Sequence, residues 1–173
     1  MQSDTDVSYD GSQLISAGYG MMDLPFNESM NLVFGLRFES TSMTTTCLPD
    51  DPTTCFWLDP NDTSVTIYDF TTPGYDADIR QDNWLPMIGW NWNIRDDLVL
   101  RTAFAQTLAR PNFFEIVPVL QYQYIGGPIF IGNPQLQMSD LNNYDIRLDW
   151  TPEENWLISG SVFYKQISQP IQY

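Results

Sequence analysis

The side chains able to do chemistry in this chain are few in kind. Histidine is absent, and the two cysteines, Cys47 and Cys55, share one Thr-, Asp- and Pro-rich stretch. Imidazole catalysis and the Cys/His zinc spacings are therefore excluded within the chain. The two thiols can close a local disulfide, which would suit an oxidising compartment, or stand free. Carboxylates are plentiful, with adjacent pairs at Asp96–Asp97 and Glu153–Glu154. Both pairs lie in turn-rich segments, and adjacency supplies neither the cleft nor the displaced pKa values that general acid–base work requires. The oxygen-rich segments LPDDP at 48–52 and DPNDT at 59–63 lack the spacing of a calcium-binding helix–loop–helix and read as solvated charge. No enzymatic activity, cofactor or metal is expected.

Two other sets of residues carry possible recognition. Gln121, Tyr122, Gln123, Tyr124 and Phe130 offer stacking faces and amides without fixed charge, a combination suited to sugars or aromatic ligands. Arg37, Glu39, Arg101, Asp145, Arg147, Asp149 and Lys165 place both signs of charge at alternate positions of extended segments. Cross-strand pairs such as Arg101 with Asp145 or Asp149 would order a polar wall.

The elements that hold these residues are strands. In NNYDIRLDW, Asn142 to Trp150, the residues Tyr144, Ile146, Leu148 and Trp150 share one face, and Asn143, Asp145, Arg147 and Asp149 share the other. The same alternation recurs at Asn31–Glu39, Ile88–Trp92, Leu98–Ala105 and Trp156–Lys165, and more weakly at Gln13–Asp23. About six strands are expected. Short turn-rich links near Pro25, at Asn93–Asp97 and at Thr151–Asn155 alternate with two long segments, 40–83 and 106–141. In an up-and-down meander this sets short turns at one end and long loops at the other.

Aromatic placement decides which solvent each face meets. Trp90, Trp92, Trp150 and Trp156 fall on apolar faces next to the short turns; Phe38, Phe104, Tyr144 and Tyr164 fall on the same faces next to the long segments. Two aromatic rims around an aliphatic band point to lipid outside and a watery lumen inside. The 22 acidic and 7 basic residues give a net charge of -15, which argues against nucleic acid as a partner. No window supplies the run of about 20 apolar residues that a membrane-spanning helix needs. The start MQSDTDVSYD lacks the basic and apolar regions of a signal peptide.

The order of LVFGLRFE at 32–39, LPMIGWNWNI at 85–94, LVLRTAFAQTLARPNFFEIVP at 98–118, GNPQLQ at 132–137, NNYDIRLDW and VFYKQISQPI at 162–171 resembles the TonB-dependent outer-membrane receptors. The motif residues are Arg110, Pro111, Asn112 and Phe113, then Gly132, Asn133 and Pro134. They read as architecture, with Pro111 ending strand pairing and opening the long loop. The resemblance implies an all-β, antiparallel meander forming a segment of a barrel of about 22 strands in the bacterial outer membrane. It also implies partners: lipid, the remaining strands, a plug domain, the TonB system and a small nutrient such as a siderophore or oligosaccharide. The whole chain, 1–173, is expected to be part of the barrel without plug or TonB box, with 40–83 and 106–141 as extracellular loops. The competing readings are a soluble β-domain that binds carbohydrate and a truncated reading frame without autonomous activity.

Overall fold

The structure, a computed structural model, describes residues 9–48, 56–58, 65–67, 76–117, 120–122 and 129–171. Its strands are β1 (Tyr9–Asn27), β2 (Met30–Cys47), β3 (Phe56–Leu58), β4 (Val65–Ile67), β5 (Ala77–Arg95), β6 (Leu98–Ala109), β7 (Leu120–Tyr122), β8 (Ile129–Ile131), β9 (Ser139–Trp150) and β10 (Ile158–Ser168). A single short helix, α1 (Phe113–Ile116), accompanies them among the described residues. Six strands form one sheet in the order β1-β2-β5-β6-β9-β10. The others make two small hairpins, β3–β4 and β7–β8, inside the two long connections. Each large strand lies beside the one before it in the chain, which is the expected up-and-down meander.

Register confirms how the side chains divide. Ile88, Phe104, Tyr144 and Tyr164 form one row across β5, β6, β9 and β10. Trp90, Thr102, Ile146 and Val162 form the next, and Trp92, Leu100, Leu148 and Gly160 the third. Leu98, Trp150 and Ile158 close the band next to the short turns. At the other end, one step past the aromatic row, the same face carries the amides Gln106, Asn142 and Gln166 in line. Because neighbouring side chains in a strand point to opposite faces, all these rows share one face. The rings touch along it: Phe104 and Tyr144 lie 5.0 Å apart, Tyr144 and Tyr164 6.0 Å, and Phe38 and Trp84 4.7 Å. Nothing in the described protein covers this face: Ile146, Leu148, Ile158 and Val162 are all exposed, Val162 to 72%.

The chain divides into two compact units. Unit 1 comprises residues 1–15, 41–81 and 110–137, and unit 2 comprises 16–40, 82–109 and 138–173. Unit 1 buries Met43, Ala77, Ile79, Ile116 and Val117. In unit 2 the buried set is small and largely polar, with Glu39, Ser139 and Asp149 beside Leu85 and Met138.

The strands run further than hydropathy alternation indicates. β2 continues through Cys47 and β5 starts at Ala77, both inside the segment expected to be loop from 40 to 83. Likewise β6 ends at Ala109 and β9 starts at Ser139, inside 106–141. The reason lies in the residues. In STSMTTT, Thr41, Met43 and Thr45 are buried while their alternates are not, but threonine against serine or threonine gives almost no hydropathy contrast. Threonine nevertheless favours extended backbone through its branched Cβ. In β5 the contrast is present with its parity reversed: Ala77 and Ile79 are buried and Asp78 and Arg80 exposed, whereas nearer the short turn Trp84 and Ile88 take the even positions.

At the opposite end β10 begins at Ile158, after the expected Trp156. The Trp156 N–H is committed to the Glu153 carbonyl at 3.0 Å, which extends the turn and keeps Trp156 out of the ladder. A bulge between Asn93 and Arg95 tightens the β5–β6 turn.

The register yields a sharp test. With Cys47 and Cys55 replaced by serine, the directly opposed pair Thr102→Cys and Ile146→Cys should form a disulfide under mild oxidation. The offset pair Thr102→Cys and Arg147→Cys, which point to opposite faces, should not. A non-reducing gel reads both, and equal cross-linking would refute the register.

Candidate functional site: a polar wall and a loop clasp

Opposite the apolar band, β6 and β9 set Arg101 directly across from Arg147. Two cations facing each other on neighbouring strands repel, so this row needs a counter-charge. Asp149 supplies it. Its Oδ2 pairs with Arg101 Nη1, and its Oδ1 accepts from Arg147 Nε at 2.8 Å and from the Ser159 hydroxyl at 2.7 Å. Arg147 Nη2 also donates to Ser159 Oγ at 3.3 Å. The carboxylate is nearly enclosed while both arginine side chains remain half exposed.

The expected charged wall therefore resolves into particular groups. Of the two partners considered for Arg101, the structure selects Asp149. Asp145 lies opposite Ala103 and Phe163, and Lys165 lies opposite Asn143; neither joins an ion pair among the described residues. Arg37 and Glu39 pair with each other along β2, with Glu39 buried. Ser159 belongs to the node although charge patterning gave no sign of it. Its position opposite Asp149 follows only from the β9–β10 register.

The two short family motifs meet in unit 1. Asn112 opens α1 with its N–H donating to Glu115 Oε2 at 2.7 Å, and the Glu115 N–H returns to the Asn112 carbonyl at 3.0 Å. Glu115 is buried, and its carbonyl accepts the Asn133 N–H at 2.7 Å. Beside that bond, Gly132 packs so closely that a Cβ there would fall 2.1 Å from the Val117 carbonyl oxygen. Asn133 closes its own turn through Oδ1, which accepts the Gln135 N–H at 2.9 Å, and Pro134 is buried. Arg110 Nε reaches Thr41 Oγ1 at 3.4 Å, and the Phe113 ring lies against the backbone of Gly11. Residues about twenty apart in sequence thus form one clasp. Glu115 is the member that motif matching passed over. A hydrophilic residue three positions after a capping asparagine is the signal that could have found it.

A second set of ties sews the short-turn ends of unit 2. Asp97 Oδ2 accepts the Trp150 indole N–H at 3.0 Å, its carbonyl accepts the Thr151 N–H at 2.8 Å, and Arg95 pairs with its carboxylate at 3.2 Å. At the first turn Asn27 Oδ1 accepts the Ser29 N–H at 2.9 Å, and the Ser29 carbonyl accepts the Asn93 N–H at 2.7 Å. Asp97 is thus a structural acceptor, an ordinary use for a turn carboxylate.

Among the ligand-contact candidates, Gln123 and Tyr124 lie outside the described residues, and Gln121 and Tyr122 are placed in β7 by their backbone alone. Phe130 is described. Its ring stacks on Phe114 with centroids 4.8 Å apart and planes 11° from parallel, so one of its faces is taken. Cys55 lies outside the described residues and Cys47 ends β2. A shallow cleft of about 410 Å³ in unit 1 is lined by Asp78, Arg80, Gln81, Gln135 and Gln137 among others. Arg80 and Asp78 are paired at its rim at 3.0 Å.

The clasp makes a direct prediction. Gly132→Ala should loosen the clasp by about 1–3 kcal/mol because the added methyl meets backbone that cannot yield. Limited proteolysis should cut between Val117 and Gly132 faster in the variant, while cleavage at the short turns stays as in the parent.

A family described as TonB dependent receptor-like, beta-barrel, matches the chain over residues 2–173. Neither a curated protein nor a solved structure matches it. The six-stranded meander, the banded face and a match over nearly the full length agree, and the chain belongs to the TonB-dependent receptor β-barrel family, a family of outer-membrane transporters rather than enzymes.

Proposed function

We propose that this chain forms part of the wall of an outer-membrane active transporter for a scarce small nutrient, with its banded face in lipid and its polar face toward the lumen. One observation carries the reading. The uncovered face is ordered in rows, from amides through aromatic rings and aliphatics to Leu98, Trp150 and Ile158. Such a sequence of side chains matches the passage from headgroups through hydrocarbon to headgroups. From Tyr144 to Trp150 the strand advances about 20 Å, close to the height of a lipid-facing band. A soluble β-domain would cover Ile146, Leu148 and Val162 with a second layer, because burying such side chains is its main source of stability.

In this reading the remaining strands of the barrel pair with the outer edges of β1 and β10, whose residues are exposed along their length. Backbone groups at an unpaired edge are costly in hydrocarbon, so membrane residence requires those partners. A plug and the TonB system belong to the same picture as partners of the assembled receptor. The nutrient would meet the long loops first, where Tyr122, Tyr124 and Phe130 and the amides Gln121 and Gln123 stand as candidate contacts. A disulfide between Cys47 and Cys55 would brace the first of those loops.

Cysteine labelling in outer-membrane preparations tests the orientation of the two faces. Ser161→Cys on the polar face should react with a water-soluble maleimide, and Val162→Cys should react only with a bilayer-soluble one. Equal reaction of both positions with the water-soluble reagent, together with folding in plain buffer, would establish a soluble domain instead.

A further inference from the structure

The Arg101 node holds more positive charge than it uses. On the polar face of β6, β9 and β10 the cations Arg101, Arg147 and Lys165 stand against the carboxylates Asp145 and Asp149. Of these two carboxylates only Asp149 is engaged in an ion pair among the described residues, and it is shared by both arginines. An excess cation is notable in a chain of net charge -15. Each guanidinium has five N–H donors in a fixed fork. Arg147 spends Nε on Asp149 and Nη2 on Ser159, while Arg101 spends only Nη1. Among the described residues the Nε and Nη2 edge of Arg101 has no acceptor, and the side chain is half exposed.

The surroundings leave that edge open. On the β5–β6 side, Gly89 and Ala103 form the adjacent row on the same face, which continues into Asp145 and Phe163, and Ala105 lies in the row beyond. A Cβ added at Gly89 would find only the Thr102 carbonyl oxygen, 3.8 Å away. Asn91 lies directly opposite Arg101 and places an amide donor in the same row. A guanidinium edge, a neighbouring amide and a low floor complement the planar, bidentate geometry of a carboxylate.

We propose that Arg101, with Arg147 and Asn91 beside it, is a receptor for one carboxylate group on the polar wall. Asp149 fixes the two guanidiniums and Arg101 offers the free fork. The site follows from register and charge; which source reaches it rests on the lumen-facing reading above. That source is either an anionic solute or an acidic side chain of a polypeptide seated against the wall.

The test uses the full chain in detergent micelles, with strand content matched across variants by circular dichroism. Arginine Nε–H resonances are followed during titration with sodium acetate, with a hexaglutamate peptide, and with sodium chloride at equal ionic strength. A saturable shift with acetate or peptide, absent with chloride and abolished by Arg101→Gln, is the expected result. Arg101→Lys should weaken binding roughly tenfold because the charge stays and the fork goes. Binding of acetate identifies a solute-sized guest, and binding of the peptide alone identifies a polypeptide. No saturable shift with either probe, or the same shift in Arg101→Gln, overturns the proposal. Either result leaves the maleimide test of the two faces standing on its own.

Discussion

Strand parity is the constraint on which the rest of this structure depends. A backbone ladder that satisfies its own N–H and C=O groups fixes, residue by residue, which side chain points to which side. Once Thr102 stands opposite Ile146, Ile146 and Leu148 are committed to one face of β9 and Asp145, Arg147 and Asp149 to the other. A slip of one residue would drive Asp145, Arg147 and Asp149 into the apolar band. In hydrocarbon that exchange would cost several kcal/mol, far more than any single contact in the sheet provides.

Polar groups guard this register where the sheet would otherwise fray. On the polar face the Asp149 node draws together β6, β9 and β10. At the short-turn ends Asp97 and Ser29 accept bonds from neighbouring strands, and Trp150 serves twice, as a rim aromatic and as a donor to Asp97. Exposed ion pairs contribute little on average, and the arginines here are half exposed. Their value lies in selecting one alignment: Asp149 satisfies Arg101 and Arg147 together only in the observed pairing.

The sheet was legible in the chain wherever hydropathy contrast was high. Alternation placed Leu98 to Phe104, Tyr144 to Trp150 and Ile158 to Tyr164 on one face, and the structure agrees pair by pair. Legibility failed for two physical reasons. Thr41 and Thr45 alternate with serine and threonine as small and polar as themselves, so around Met43 the strand has shape preference with little amphipathic contrast. In β5 the apolar residues pass from odd positions at Ala77 and Ile79 to even ones at Trp84 and Ile88, which blurs the alternation over the strand as a whole. Partners set by long-range register, such as Ser159 for Asp149 and Asn133 for Glu115, were beyond local reading. A chain shows what faces a side chain has, and only pairing shows what it meets.

The closeness of Gly132 to Val117 has a further consequence for how such a protein can vary. Pinned at that point, the residues between them make a small ring of their own, closed independently of the longer excursion from β6 to β9. Lengthening the ring changes only its closure entropy, about 0.6 kcal/mol for each doubling. The length of chain joining these two points can therefore vary at little cost to the contact that closes it.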